Sequence, residues 1–436
     1  MWELLDRLDR EVMMLTTSEP GANLQRRLRL PLDYIVLRGV LLSWRDHVFA
    51  VANAGSATKE VLGDLHPMAV LSKVDRYLGF AATSSPGSGA ALFEPSVHPY
   101  SIILHTLGQM NDRQERVQNG QELVEGMMER SRNNPQNVLL HPSNSIVYGM
   151  MTLWAQSKLP ESSQKAEEWL EKMQTWWDQT HHENYQLNSN ILVAVMEAHS
   201  HVSHGTLAFD RINELLVELK NLRGVDPNQD SIHYNRVCNA FAACHHPEAA
   251  DAARAILDEM CESLKPNAPQ SENCLPKPTT YTFSIVMSAY GRMARIDDVV
   301  KLFKYLEGLS QEDPSLTPST HCYLSLIWAY AKVNDAANTE AALMQMIQAK
   351  SERGNPTGDL DTGAWNAVLQ SWADSGDPNA TENIALIIQR LQTICEKRGI
   401  KGDVLTAVTY NKLLRSHVKQ RNLVEAQKTF RWMQEQ

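Results

Sequence analysis

His199-x-His201-x-x-His204 holds the residue types of a metal site. The run lacks the i, i+4 histidine pair and the acidic partner that a helical zinc site uses, so it reads as a solvated turn. Cys238 and Cys244 do not form a CxxC pair, and Cys238 falls on the apolar face of a helix. Gly87-x-Gly89 follows no strand, so it reads as linker rather than phosphate loop. Trp176-Trp177 reads as a cover over apolar surface. No nucleophile–base constellation and no paired carboxylates in a cleft emerge from the spacing. The chemistry on offer is therefore recognition rather than bond making, with no enzyme activity, metal or cofactor expected.

Recognition needs a frame, and one phrase supplies it eight times. Apolar residues at i, i+3, i+4 and i+7 fall on one face of an α-helix. The copies are Tyr100/Ile103/Leu104/Leu107, Val147/Met150/Met151/Trp154, Leu192/Val195/Met196/His199 and Tyr234/Val237/Cys238/Phe241. They continue as Phe283/Val286/Met287/Tyr290, Tyr323/Leu326/Ile327/Tyr330, Trp365/Val368/Leu369/Trp372 and Tyr410/Leu413/Leu414/His417. Leu37/Val40/Leu41/Trp44 reads as a degenerate earlier copy. Each of the eight is followed by a second helix spaced small-x-x-x-large-x-x-large, as in Gly120/Val124/Met127, Ala166/Leu170/Met173, Ile212/Leu216/Leu219 and Ala426/Phe430/Met433. The first slot brings paired helices close, and the large residues fill the layer between pairs. No pair buries its apolar face alone, so the pairs must stack. The expectation is an all-α chain of stacked helix-turn-helix units.

Residues 1–95 are the least regular part, with an entry helix at Met1–Leu15 and a helix expected from Met68 to Phe80. Ser84–Gly89 reads as a linker, and 96–436 reads as the array of about eight pairs. Copies recur every 40–49 residues, and the extra residues sit in Pro- and Gly-rich joints, the longest at 264–280. Surface joints tolerate such insertions because closure entropy grows slowly with length.

The net charge is −10 and the pI about 5.9, so no global attraction to nucleic acid exists. Charge is uneven: residues 385–436 carry ten Lys or Arg against four Asp or Glu. No segment is apolar and long enough to span a bilayer, so no membrane insertion is expected. Six scattered cysteines suit a reduced, intracellular protein with no disulfide framework. The first helix carries Asp6, Asp9 and Glu11, unlike an acid-poor transit peptide.

The phrases Thr409-Tyr410-Asn411-x-Leu413-Leu414, Trp365-Asn366-x-Val368-Leu369, Tyr234-Asn235-x-Val237-Cys238 and Trp328-Ala329-Tyr330-Ala331-Lys332 resemble pentatricopeptide repeats over about 98–436. The Leu-Gly signature of tetratricopeptide repeats is missing. The resemblance implies a right-handed superhelical solenoid whose first helices bind single-stranded RNA, about one base per repeat. It implies base contacts at Ser101, Asn235, Ser284, Asn366 and Asn411, while Tyr148, Val193 and Leu324 depart from the pattern. A second set of base contacts falls at Asp230, Thr279, Ser319, Asp361 and Thr406, with Ser143 and Asn188 in the same slot. The same residue types are the preferred helix N-caps, and that alternative stays open. Phosphate contacts fall on Arg292, Lys332, Arg415 and Lys419, and stacking contacts on Ile232, Tyr281 and Val408.

The family implies a non-catalytic adaptor for RNA processing, stability or translation in a mitochondrion or plastid. The acidic residues 1–384 and the apolar Val193 and Leu324 support a rival reading, a scaffold for protein partners.

Overall fold

The computed structural model describes residues 34–53, 62–74, 98–133, 142–181, 185–201, 205–222, 230–265, 275–352, 361–397, 410–411, 414–415, 417–418 and 421–435. Met1–Leu15, Ser84–Gly89, His204, Thr406, Val408 and Lys419 lie outside them. The described residues are all-helical and fall in two compact units that divide between Pro227 and Asn228.

The first unit contains α1 (Tyr34–Asn53), α2 (67–74), α3 (His98–Leu107), α4 (Arg113–Asn133), α5 (Asn144–Ser157), α6 (Ser162–Thr180), α7 (Ser189–Ser200) and α8 (Gly205–Asn221). Helices α1, α3, α5 and α7 pack side by side, while α4, α6 and α8 back onto them. The phrase explains this arrangement. Ile103, Leu104, Met150, Met151, Leu192 and Met196 are all 0–1% exposed, so each first helix is sealed from both neighbours. At the small slot of α4, a Cβ on Gly120 would meet Leu153 Cδ1 at 2.6 Å. That helix approaches α5 as closely as the spacing requires. Val40, Leu41 and Trp44 of α1 are buried, and Trp44 Nε1 donates to the Leu65 carbonyl at 2.9 Å.

The second unit contains α9 (Ser231–Ala243), α10 (Ala249–Glu262), α11 (Thr280–Arg292), α12 (Ile296–Glu312), α13 (Thr320–Lys332), α14 (Ala336–Glu352), α15 (Thr362–Ser375), α16 (Ala380–Lys397) and α17 (Leu423–Glu435). Helices α9, α11, α13 and α15 form the row of first helices. Two second helices depart from the spacing. On α8 the buried leucine is Leu215, with Leu216 only half-buried. On α17 Phe430 is 50% exposed, and Ala426 and Met433 are half-buried.

A polar clasp recurs at three junctions. It uses the closing slot of the phrase, a carboxylate on the preceding second helix and an arginine close after the slot or on the following second helix. In the first unit Glu167 on α6 meets His199 Nε2 at 2.8 Å, and Arg211 on α8 donates to it at 2.8 and 3.0 Å. In the second unit Tyr290 Oη donates to Asp251 at 3.0 Å and Arg295 donates at 2.7 Å. Trp372 Nε1 donates to Glu340 at 3.1 Å and Arg390 donates at 2.6 Å. His199 is thus occupied in a clasp, and among the described residues no three His, Cys, Asp or Glu side chains are placed to hold a metal ion. Cys238 is fully buried, and burial pushes its thiol up to about 12, far from the reactive thiolate.

Burial alone would raise the Glu167 carboxyl, but the His199 and Arg211 hydrogen bonds outweigh it and hold it at about 2. A depressed folded-state pKa stabilises fully above the ordinary value of 4.5 and loses that contribution as pH falls toward 2. Glu167→Gln is expected to lower the stability of the first unit by about 2 kcal/mol at pH 7. The same substitution should flatten the stability loss between roughly pH 4.5 and 2. Denaturant melts across that window check both effects, and equal pH profiles for the two proteins would refute the clasp.

Candidate nucleic-acid interface

Four first helices of the second unit begin at residues of the second expected contact set. Asp230, Thr279, Ser319 and Asp361 are the N-caps of α9, α11, α13 and α15, all in extended backbone. Asp230 accepts from the Ile232 and His233 amides at 2.9 and 3.4 Å, and Asp361 accepts from the Ala364 amide at 3.0 Å. Thr279 forms a reciprocal capping box with Thr282. Ser319 makes no side-chain cap bond and lies 3.5 Å from Cys322 Sγ. Capping uses part of these groups' capacity: an ionised carboxylate has about four acceptor sites, and the Asp230 side chain is 53% exposed.

The first contact set divides. Asn235 is 6% exposed, and its Oδ1 accepts from Thr282 Oγ1 at 2.6 Å, which ties α9 to α11. Ser284 is 4% exposed and donates to the Tyr281 carbonyl at 2.8 Å, while its own carbonyl accepts from Ser325 Oγ at 3.1 Å. These two polar groups therefore serve the joints between first helices. Ser101 and Asn366 are half-buried and Asn411 is exposed. Among the departures, Val193 is 0% and Leu324 8% exposed.

Residues at i, i+4, i+7 and i+11 form a stripe along one helix face. On α11 this stripe is Tyr281, Ile285, Ser288 and Arg292, and on α13 it is His321, Ser325, Trp328 and Lys332. Tyr281 and His321 face each other edge-on with ring centres 6.2 Å apart. Ile232 holds the same slot on α9 and is 62% exposed, and Tyr281 is 48% exposed. These two expected stacking residues thus stand in solvent at the N-terminal ends of their helices. His321 completes that set; the sequence pattern counts only apolar residues and Phe, Tyr or Trp rings at this slot, so a histidine there is passed over.

At the other end of the stripe, Arg292 and Lys332 are exposed in the last turns of α11 and α13. Arg292 donates to the Ala242 carbonyl at the end of α9. The next cation slot, on α15, holds Asp374, which lies 3.4 Å from Arg415 and accepts from Gln370. Arg415 therefore answers an acid of the neighbouring helix. The paired cations of the face sit on α11 and α13. In the first unit the equivalent slots hold Gln109, Gln156 and His201.

The model of the PPR repeat family matches residues 281–309 and 408–436. No curated protein sequence matches the chain. Among solved structures, the pentatricopeptide repeat protein PPR10 from maize aligns at 15% identity over 97% of this chain and 62% of its own, with a TM-score of 0.38. PPR10 in complex with an 18-nt psaJ RNA element aligns at 16% identity over 98% of this chain and 65% of that one, with a TM-score of 0.31. The chain spans less than two thirds of the length of these structures.

The joint at Asn235 has a measurable energy. Asn235→Ala and Thr282→Val are each expected to cost about 1–2 kcal/mol, because a single deletion leaves a buried polar partner unpaired. The double variant should cost less than the sum, with a coupling of about 1 kcal/mol in a double-mutant cycle. Additive losses would show that the two side chains do not support one another.

Proposed function

We propose, with the pentatricopeptide repeats that this chain carries as the premise, that it is a non-catalytic single-stranded RNA-binding adaptor. The observation that carries the reading is the ordered face of α11 and α13, with aromatic rings at one end and paired cations at the other. Rings are sequence-tolerant platforms for unpaired bases, and cations neutralise the phosphates between them. Tyr281 and Ile232 act as stacking groups. Arg292 and Lys332 meet the phosphate backbone, and Asp230, Thr279, Ser319 and Asp361 offer acceptors to base edges beside their capping roles. Asn366, Asn411 and Ser101 complete the reading set, whereas Asn235 and Ser284 first have to release their helix-joint contacts. The site of action is RNA processing, stability or translation in a mitochondrion or plastid, as is usual for the family.

Two exposed cations imply a modest salt dependence, because a single strand gives a slope near −0.7 per neutralised phosphate. The full chain is expected to bind a fluorescent 20-nt single-stranded RNA pool, with log Kd rising against log salt at a slope of roughly 1.4. Arg292→Ala and Lys332→Ala should each remove about half of that slope. Fluorescence anisotropy over 20–200 mM salt measures it. Absence of binding at the lowest salt rejects RNA as the ligand and favours the protein-scaffold reading.

A further inference from the structure

Between α11 and α13 lies an open cleft of about 210 Å³, lined by Ser288, Gly291, Arg292, Ser325, Trp328 and Lys332 together with Ala329. Its floor follows from residue size. A Cβ on Gly291 would meet Ala329 Cβ at 3.3 Å, so the two helices touch there. Ser288 Oγ and Ser325 Oγ lie 2.8 Å apart and close the floor with hydroxyls. Ser325 also bonds the His321 and Ser284 carbonyls at 2.9 and 3.1 Å, which fixes that side of the floor. Small residues on both helices leave the space, and Trp328 rises beside it with 53% of its surface in water. Trp328 sits seven residues after His321, roughly 10 Å along the helix axis.

An exposed tryptophan next to small polar residues is expensive surface for a helix to leave uncovered. A burial role is met elsewhere in the phrase: Tyr323, Leu326 and Ile327 of the same helix are buried and carry the packing. Trp328 is not among those buried residues. The equivalent slots on neighbouring first helices hold Asn239, Ser288 and Gln370, so the ring is a local addition rather than part of the repeated frame.

We infer that Trp328 is a second stacking platform on this face, which holds one base of single-stranded RNA against the indole while Arg292 and Lys332 take the adjoining phosphates. The inference rests on the proposed RNA-binding function and adds a site about two helical turns beyond the residues that this function uses for stacking. The cleft lies below the roughly 300–1,000 Å³ of enclosed small-molecule pockets, so it admits one planar ring with its backbone left outside. Charge selects the ligand. Both flanking groups are cations, which repel an arginine or lysine side chain from a protein partner and attract a phosphate. Each full positive charge also exceeds the roughly half negative charge of the helix C-terminus beneath it. One Arg292 donor is spent on Ala242, but a guanidinium has five N–H groups, so the others can face a phosphate.

The test uses the full chain, the same 20-nt RNA pool and Trp328→Ala, Trp328→Phe and wild type side by side. A base–aromatic stack is lost in the alanine variant, and affinity is expected to fall roughly five- to a hundredfold, with Trp328→Phe restoring most of it. The salt slope should stay at its wild-type value in both variants, since no cation is removed. The ring is half in water, so melting temperatures within about 2 °C of wild type are expected. RNA carrying 5-iodouridine should crosslink to the peptide that contains Trp328. Wild-type affinity in Trp328→Ala, or crosslinks confined to other peptides, overturns the second platform while the RNA-binding function stands. A wild-type chain that fails to bind the pool at low salt overturns both, and a protein that contacts Trp328 then takes its place.

Discussion

A helix pair of this chain cannot bury its own apolar face, and every other property of the molecule follows from how neighbouring pairs seal one another. The seal has an apolar layer and a polar lock. Residues at i, i+3 and i+4 of the phrase vanish into the layer, with Ile103, Met196, Val286 and Leu369 at 0% exposure. The closing slot lies at the edge of that layer, where water can reach, and at three junctions it carries a polar tip: His199, Tyr290 and Trp372. Each tip meets a carboxylate of the preceding second helix, and an arginine answers the remaining charge. Hydrogen bonds to a charged partner are about twice as strong as neutral ones, and a fork of donors fixes angle as well as distance. An apolar layer alone tolerates sliding, whereas a carboxylate held by two donors sets the rotation of one pair on the next.

The lock also sorts charge between the two sides of each unit. Glu167, Asp251 and Glu340 lie on second helices, and their charge is met by Arg211, Arg295 and Arg390. The row of first helices in the second unit is left with few acids. Asp374 is the acid in its cation slot, and Arg415 answers it. A chain of net charge −10 can in this way present a local cationic end on α11 and α13. Net charge describes the whole surface, and a face is set by which charges the packing consumes.

The phrase made the helices legible because its period is a physical requirement of burial, repeated often enough to exceed coincidence. Boundaries were legible for the same kind of reason: Asp230, Thr279 and Asp361 were expected to offer polar groups at helix starts, and they do so as caps. The polar reading set was less legible. Asn235 and Ser284 share residue types with edge-reading groups, but residue type does not reveal that Thr282 or the Tyr281 carbonyl lies within bonding distance. Those partners come from register within and between adjacent helices, which differs from joint to joint with the inter-repeat length. Trp328 stands in the phrase Trp328-Ala329-Tyr330-Ala331-Lys332, whose residue types alone do not mark a site. Its meaning depends on Ser288 and Gly291, some forty residues earlier, leaving room opposite it.

Position along the first helix therefore matters as much as position along the chain. The N-terminal turn is where caps, exposed rings and free acceptors concentrate, because four amides there lack helical partners. The second turn holds the joint between first helices, where Asn235 meets Thr282 in the first turn of the next helix and the Ser284 carbonyl meets Ser325. The C-terminal turn regains freedom, since its carbonyls favour cations and the neighbouring helix has already been sealed. A face built this way has two open ends and a closed centre. The α11–α13 pair is where both open ends carry rings, Tyr281 with His321 at one and Trp328 at the other. That coincidence is why the proposed RNA contacts centre on this pair.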